Sequence, residues 1–360
     1  ILDMALHAGA SSSHFGGALS IVEIISTLFS YQMNLNEKNK YSETRDRFIL
    51  SKGHACLAYY AALCEIGFIK KDELKTFEKN NSNLLGHPVA NKELGIELRE
   101  IYCDINPDFP NHHPDPTVDK NLDDLVELIK SGDYDLGIAY DGDADRVVVV
   151  DEKGAIIRPD ILMSLFIPFI VSENDSVIFD VKCSRSLEET IRKYGGNPVM
   201  YKTGHSLIKN KMIDMNSKFG GEMSGHIFFN DRYYGYDDGI YVSLRLVELL
   251  SKSKKKISNY ISQIPKYIST PEIRIDCDDD DIKFKVVEKV KEYFIDNFKC
   301  NLIDGVRIEF DHGWGLIRSS NTQPVIVCRF ESNSLNNLNK IKNIIFDQIK
   351  SYGVNINNEF

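Results

Sequence analysis

Three aspartates at alternate positions, Asp141, Asp143 and Asp145, stand in the run Asp141-Gly142-Asp143-Ala144-Asp145-Arg146 between two apolar segments. With small residues between them, these carboxylates can converge on one hard cation and leave a coordination position for a phosphate oxygen, which makes magnesium the natural occupant. An EF-hand loop is the nearest rival, with Glu152 at its twelfth position. Arg146, however, takes the sixth position, where that loop needs glycine, and Val147 to Val150 reads as strand. A solvated acidic turn is the plainer alternative. Arg146 favours the metal–phosphate reading, because a guanidinium can clamp the phosphate that the metal neutralises.

A second run, Gly221-Glu222-Met223-Ser224-Gly225-His226, spaces a carboxylate, a hydroxyl and an imidazole two apart. On an extended loop they share one side and suit the vicinal hydroxyls of a sugar. Lys182 ends a predicted strand in Asp180-Val181-Lys182-Cys183-Ser184-Arg185, where open α/β sheets present ligand-binding groups. His205 sits in Thr203-Gly204-His205-Ser206. Taken singly these are weak signals, since a lone His is commonly a hydrogen-bonded structural residue and a lone Lys is commonly solvated. The third run, Arg318-Ser319-Ser320-Asn321-Thr322-Gln323-Pro324, offers arginine, hydroxyl, amide and backbone N–H groups as a metal-free phosphate cradle. An ordinary polar hairpin turn is its alternative.

The elements that must position these groups follow from periodicity. The first ~97 residues read as mostly helical, with helices at Ser20 to Tyr31 and Ala55 to Ile66. Leu98 to Ile101 is a short strand candidate, Asp108 to Pro116 a loop, and Leu122 to Ile129 an amphipathic helix. Strands Gly137 to Tyr140 and Val147 to Asp151 bracket the acidic run. Strand and helix then alternate from Ile161 to Tyr201, which predicts a mostly parallel sheet. Helices follow at His205 to Ile213 and from Asp237 to about Leu250. The final ~90 residues read as a separate α+β cap, with helices Ile282 to Asn297 and Leu335 to Ile349. The aspartates from Asp278 to Asp281 suit the start of the first of these, at the positive end of its dipole.

Composition bounds the class. The 360 residues, 42% of them hydrophobic, are enough for several folded cores. With 53 acidic against 43 basic side chains the net charge is −10, which disfavours a nucleic-acid partner. The seven cysteines form no Cys-x-x-Cys pair, which argues against a zinc ribbon or a disulfide framework. No apolar run reaches the ~18 residues of a bilayer span and no signal peptide is visible, so a cytoplasmic protein without a membrane partner is expected. Ile1 falls in the middle of an apparent helix, which suggests further sequence upstream.

From about Leu98 to the C-terminus, including Phe109-Pro110-Asn111-His112-His113-Pro114-Asp115-Pro116, the order of these runs resembles the α-D-phosphohexomutases, and within them the phosphomannomutase/phosphoglucomutase branch. The resemblance implies a multi-domain α/β fold with a C-terminal α+β cap domain. Residues 98–155 would be a partial second domain with the metal loop, 156–265 the third with the sugar loop, and 266–360 the fourth with the phosphate loop. By the same resemblance, Asp141, Asp143 and Asp145 hold Mg²⁺, and Glu222 and Ser224 select sugar hydroxyls. Arg318, Ser320, Asn321 and Thr322 hold the non-reacting phosphate, while Arg146, Lys182, His205 and His226 line the reacting end. His112 and His113 are assigned structural roles. The implied reaction interconverts the 1- and 6-phosphates of mannose or glucose through a phosphoserine in a Ser-His-Asn-Pro loop. That loop is not in the sequence; Ser13-His14 is followed by Phe15-Gly16.

Residues 1–97 instead resemble a mostly helical fragment of a transketolase-like, thiamine-diphosphate-binding domain. The matching segments are His14 to Ser20, Asp46 to Ala55 and Gly86-His87-Pro88. This resemblance implies that His14 and His54 approach thiamine diphosphate. The Gly-Asp-Gly…Asn motif that secures the diphosphate does not occur here, so magnesium is the better supported cofactor. The expectation is a chimera joined near Ile96 to Leu98, which binds hexose phosphate and Mg²⁺ but turns over slowly or not at all. A transketolase-like subunit fragment and a non-catalytic sugar-phosphate-binding remnant are the alternatives.

Overall fold

A computed structural model of the chain describes residues 1–8, 18–40, 42, 44–46, 48, 50, 55–77, 79, 82, 84, 99–103, 109–253, 255–277, 280–320 and 324–356. The chain forms two compact units, Ile1–Asp104 and Ile105–Phe360. The first contains helices α1 (Leu2–Ala8), α2 (Val22–Thr27) and α3 (Cys56–Glu65), with short helical turns at Leu28–Gln32, Glu37–Asn39 and Glu73–Thr76. Met4, Ile25, Phe29, Leu57, Tyr60 and Phe77 form its core. The apolar period expected from Ser20 to Tyr31 is met by α2 running into a π-helical turn at Leu28–Gln32. His14, His54 and the junction from Ile96 to Leu98 lie outside the described residues. The strand expected at Leu98 to Ile101 does not form over residues 99–101: Arg99 and Glu100 are exposed, and no strand among the described residues pairs with them.

In the second unit a short 3-10 turn, Asp119–Leu122, leads into α4 (Asp123–Ser131), whose first turn carries Asp123 and Asp124, the charge sign that suits a helix N-terminus. An antiparallel sheet follows: β1 (Leu136–Tyr140), β2 (Val147–Asp151) and β3 (Ile156–Ile157). Every residue of β2 is buried, which explains its unbroken run of valines, since a strand covered on both faces needs no polar alternation. Helix α5 (Pro159–Ile170) starts with proline, which is tolerated in a first turn where the backbone N–H has no helical partner.

Next come β4 (Ser176–Asp180), α6 (Arg185–Lys193), β5 (Asn197–Tyr201), α7 (His205–Asp214), β6 (Phe219–Gly221), β7 (Ile227–Phe229) and α8 (Gly239–Ser253). The sheet order is β5-β4-β6-β7, parallel except for the β6–β7 edge. Val147 and Val149 of β2 share one core with Phe166, Phe179, Phe219, Phe229 and Leu246, which ties the hairpin to this sheet. Each such aromatic contributes about 1.5–3 kcal/mol on burial.

The last layer contains β8 (Ile268–Ser269), β9 (Ile273–Asp276), α9 (Asp280–Ile295), β10 (Lys299–Asn301), β11 (Val306–Phe310), β12 (Gly313–Ser319), β13 (Val325–Ser332) and α10 (Leu335–Ser351). Its sheet is wholly antiparallel, in the order β10-β11-β12-β13-β8 with β9 also on β13. The two helices pack their apolar stripes on Ile308, Ile317, Ile326 and Phe330. Among the described residues no helix is long and apolar enough to cross a membrane.

Candidate functional site

Tyr140 pairs with Val147 across β1 and β2, which closes the acidic run into a short loop. Ala144 takes a left-handed φ of 59° to make the turn. Asp141, Asp143 and Asp145 each present a carboxylate oxygen, all within 4.8 Å of one another. Burial, with the charges of Asp141 and Asp143 beside it, raises the Asp145 pKa above the usual carboxylate range against the pull of His226. Arg146 donates its backbone N–H to Asp141 Oδ1 (3.1 Å) and its Nε to Oδ2 (2.6 Å), and its Nη1 lies 3.7 Å from Asp115. The guanidinium expected to clamp phosphate therefore also fixes one carboxylate of the acidic loop.

The loop between β6 and β7 is stitched onto the start of β2. Val147 N–H donates to Gly225 O (3.2 Å), and Arg146 and His226 form an antiparallel bridge. Gly225 has φ +107°, and a Cβ there would sit 3.0 Å from Val147 N, so the approach requires glycine. The N–H of Gly239, at the start of α8, donates to Ala144 O at 2.9 Å. Both contacts hold the acidic loop from outside its own hairpin.

Glu222, Ser224 and His226 do meet. Ser224 Oγ lies 2.8 Å and Glu222 Oε2 3.2 Å from His226 Nδ1. Buried Glu222 also accepts the Gly204 N–H at 2.5 Å through Oε1. Burial opposes charge on His226, but the hydrogen bond and charge of Glu222, with Asp145 and Asp237 nearby, raise its pKa. His205, the first residue of α7, stacks on His226 with centroids 5.3 Å apart, and its Nδ1 lies 2.8 Å from Asp237 Oδ2. Lys209, one turn further along α7, donates to Asp237 Oδ1 at 3.0 Å.

Lys182 follows β4, with Nζ 3.5 Å from Glu272 and 3.8 Å from Asp180 Oδ2. Asp180 is fully buried, its Oδ2 has no hydrogen-bond partner, and burial raises its pKa. Its Oδ1 accepts the Met223 N–H at 3.4 Å, which links Lys182 to the Glu222 loop. Arg318 Nε, on β12, donates to Asp304 Oδ2 (3.1 Å), and the same oxygen accepts the Thr203 N–H (3.1 Å). The Ser320 N–H donates to Val325 O (3.0 Å). Asn321 and Thr322 lie outside the described residues. The carbonyl of His113 accepts from Asn121, and His112 Nδ1 lies 3.0 Å from that same carbonyl.

A continuous path thus runs from Arg318 through Asp304 to the backbone of Thr203 and Gly204, then to Glu222, His226 and Asp145. Asp237, Asp304 and Lys209 belong to this path or flank it, although no sequence run singled them out. The one available signal was the Asp237-Asp238 pair ahead of a helix, where capping is the common role; Asp238 Oδ1 does accept the Tyr241 N–H. The arrangement can hold a hard cation at one end and a phosphate at the other, with carboxylate, hydroxyl and imidazole between them. A separate cavity of about 810 Å³, lined by Arg185, Arg192, Met200, Lys299 and Glu309, contains none of the expected site residues.

Three models of phosphoglucomutase/phosphomannomutase match this chain in order: alpha/beta/alpha domain II over residues 82–154, alpha/beta/alpha domain III over 158–267 and the C-terminal domain over 272–348. The thiamine diphosphate binding domain of transketolase matches residues 1–100. A phosphomannomutase/phosphoglucomutase of Pseudomonas aeruginosa is 46% identical over 267 residues, which are 73% of this chain and 58% of that protein. A phosphoglucomutase of Neisseria meningitidis is 44% identical over 256 residues, 70% of this chain and 55% of the relative. The chain therefore spans a little over half the length of these relatives. Among solved structures, a phosphoglucomutase/phosphomannomutase family protein from Burkholderia thailandensis has a TM-score of 0.68 at 42% identity, covering 73% of this chain and 57% of that one.

Proposed function

Residues 82–348 of this chain belong to the phosphoglucomutase/phosphomannomutase family, and we propose that they bind a hexose phosphate and Mg²⁺ for phosphoryl transfer between the 1- and 6-oxygens of mannose or glucose. The path from Arg318 to Asp145 supports this reading most directly, because it joins the phosphate, sugar and metal groups in one series of hydrogen bonds and close charged contacts.

Asp141, Asp143 and Asp145 supply the all-oxygen donor set that Mg²⁺ favours, and they are the residues that would hold it. When bound, the ion would neutralise charge on a transferring phosphoryl group. Arg318, Ser320, Asn321 and Thr322 would bind the non-reacting phosphate, with Asp304 orienting the Arg318 guanidinium. Glu222 and Ser224 would accept and donate to sugar hydroxyls. His226 shares its Nδ1 with both and is placed to exchange a hydroxyl proton; His205, fixed by Asp237, would support it. Lys182 would add positive charge at the reacting end.

The 360 residues hold no Ser-His-Asn-Pro loop, so the reading for this polypeptide alone is binding with slow or no turnover. Titration of mannose 1-phosphate and glucose 1-phosphate with Mg²⁺, followed by ³¹P NMR, tests it. Line broadening that disappears in Glu222→Ala supports the reading. No interaction with either sugar would sink it, and steady appearance of a 6-phosphate signal would refute its non-catalytic half.

A further inference from the structure

We infer that Asp145, His226 and Asp237 form a second cation site, which adjoins the three-aspartate loop, shares Asp145 with it, and selects zinc or a similar late first-row ion. Ligand atoms of the three residues lie within 4.8 Å of one another. His226 Nε2 is 3.4 Å from Asp145 Oδ1. That is longer than an ordinary N–H···O bond, but it is about the spacing of two neighbouring donors on a tetrahedron with metal bonds of about 2.0–2.1 Å.

The second observation is the support behind His226. Its Nδ1 faces the buried Glu222 carboxylate at 3.2 Å and Ser224 Oγ at 2.8 Å. Glu222 is itself held by the Gly204 N–H. A carboxylate behind the distal ring nitrogen is the arrangement that orients a metal-ligating imidazole and raises its basicity. Here it points Nε2 at Asp145. Asp237 is likewise fixed, by Lys209 and His205.

Donor type separates the two sites. The acidic loop offers oxygen alone, which suits Mg²⁺, whereas an imidazole with two carboxylates suits zinc-class ions. The three side chains are 9–28% exposed, so an ion can enter and keep a water ligand. Binding stands independently of the reaction proposed above. Its consequence, withdrawal of His226 from proton exchange and hence inhibition by zinc, rests on that reading.

Cobalt(II) titrated into the full chain under excess magnesium tests the inference, with zinc then added to displace it. The expected result is a single equivalent of cobalt with visible d–d absorption and no thiolate charge-transfer band, despite the seven cysteines. Asp237→Asn and His226→Gln abolish the band. Asp143→Asn, which alters only the acidic loop, keeps it. Glu222→Gln weakens cobalt binding about 10–100-fold. Circular dichroism melts establish that each variant folds. Should one fail to, the imidazole ¹⁵N shift of His226 in the unmodified chain on zinc addition decides instead. Loss of the band to magnesium, its survival in His226→Gln, its loss in Asp143→Asn, a thiolate band, or an unmoved His226 resonance would each overturn the inference.

Discussion

The guanidinium carbon of Arg307 lies 3.8 Å from the centre of the Trp314 ring. Arg307 Nη1 donates to the carbonyls of Val181 (2.7 Å) and Cys183 (2.8 Å), and Arg329 donates to the Lys182 carbonyl between them. Three successive carbonyls around Lys182 are therefore satisfied by two arginines of the C-terminal sheet, both buried. The position of Lys182 depends on that sheet as much as on the strand that precedes it.

Arg307→Met removes a buried charge and leaves the Val181 and Cys183 carbonyls without their donor, while Glu309, its 3.0 Å partner, keeps Arg185. A loss of about 2–6 kcal/mol is expected, at about 1–3 kcal/mol for each unpaired buried carbonyl. Trp314 is the only tryptophan, so its fluorescence reports the same event. A variant with unchanged melting temperature and emission would contradict this account.

Asp304 holds Arg318 by Nε, and on the proposed reading the Nη groups would bind the phosphate. Asp304→Asn should weaken hexose phosphate binding by about 10- to 150-fold, the scale of one charge-assisted hydrogen bond at about 1.5–3 kcal/mol. Calorimetry with glucose 1-phosphate measures it. Affinity that stays the same or rises would mean that Asp304 competes with phosphate instead of aiming the arginine.

Gly225→Ala forces a Cβ against Val147 N at φ +107°. The strain is about 1–3 kcal/mol, and it falls on the contact that anchors the acidic loop. Magnesium affinity, read by calorimetry, should drop along with thermal stability. A stability loss with intact magnesium binding would show that the two loops are not coupled.

Glu248, on α8, accepts from Arg232 (2.5 Å) and Lys252 (2.7 Å), and these hydrogen bonds lower its pKa to about 2. Its folded pKa lies below the ordinary value of about 4.3. The stabilisation is therefore fully present above that value and is lost as pH falls through about 2. The carboxylate is a third exposed, so the effect stays below about 1 kcal/mol. Melting curves of the unmodified chain and Glu248→Gln should differ at neutral pH and converge in acid. A gap that does not change with pH would rule the ion pairs out as its source.

Elements carrying strong periodicity were legible in the sequence. The buried β2 announced itself through four valines, and α10 through apolar residues at helical spacing. The runs around Asp143, Glu222 and Arg318 were legible because each concentrates its chemistry within a few residues. Asp237 and Asp304 were not, since a loop aspartate looks the same whether it faces water or a distant His205 or Arg318. Arg307 and Arg329 were invisible for a related reason. An arginine in a strand ordinarily faces solvent, and only the packing of two sheets shows that these two end in carbonyls. The strand expected at Leu98 to Ile101 had local pattern, but over residues 99–101 no strand among the described residues pairs with it.

The contacts from Val147 N–H to Gly225 O and from Gly239 N–H to Ala144 O carry a consequence for biosynthesis. The acidic hairpin leaves the ribosome well before either of its anchors. At about 5–20 residues per second, roughly 5–20 seconds separate the emergence of Ala144 from that of Gly239. During that interval the three aspartates lack the backbone that fixes their loop. On the magnesium reading proposed above, a nascent chain arrested before residue 239 should therefore not yet bind the cation, and metal loading would be a late event in the life of each new polypeptide.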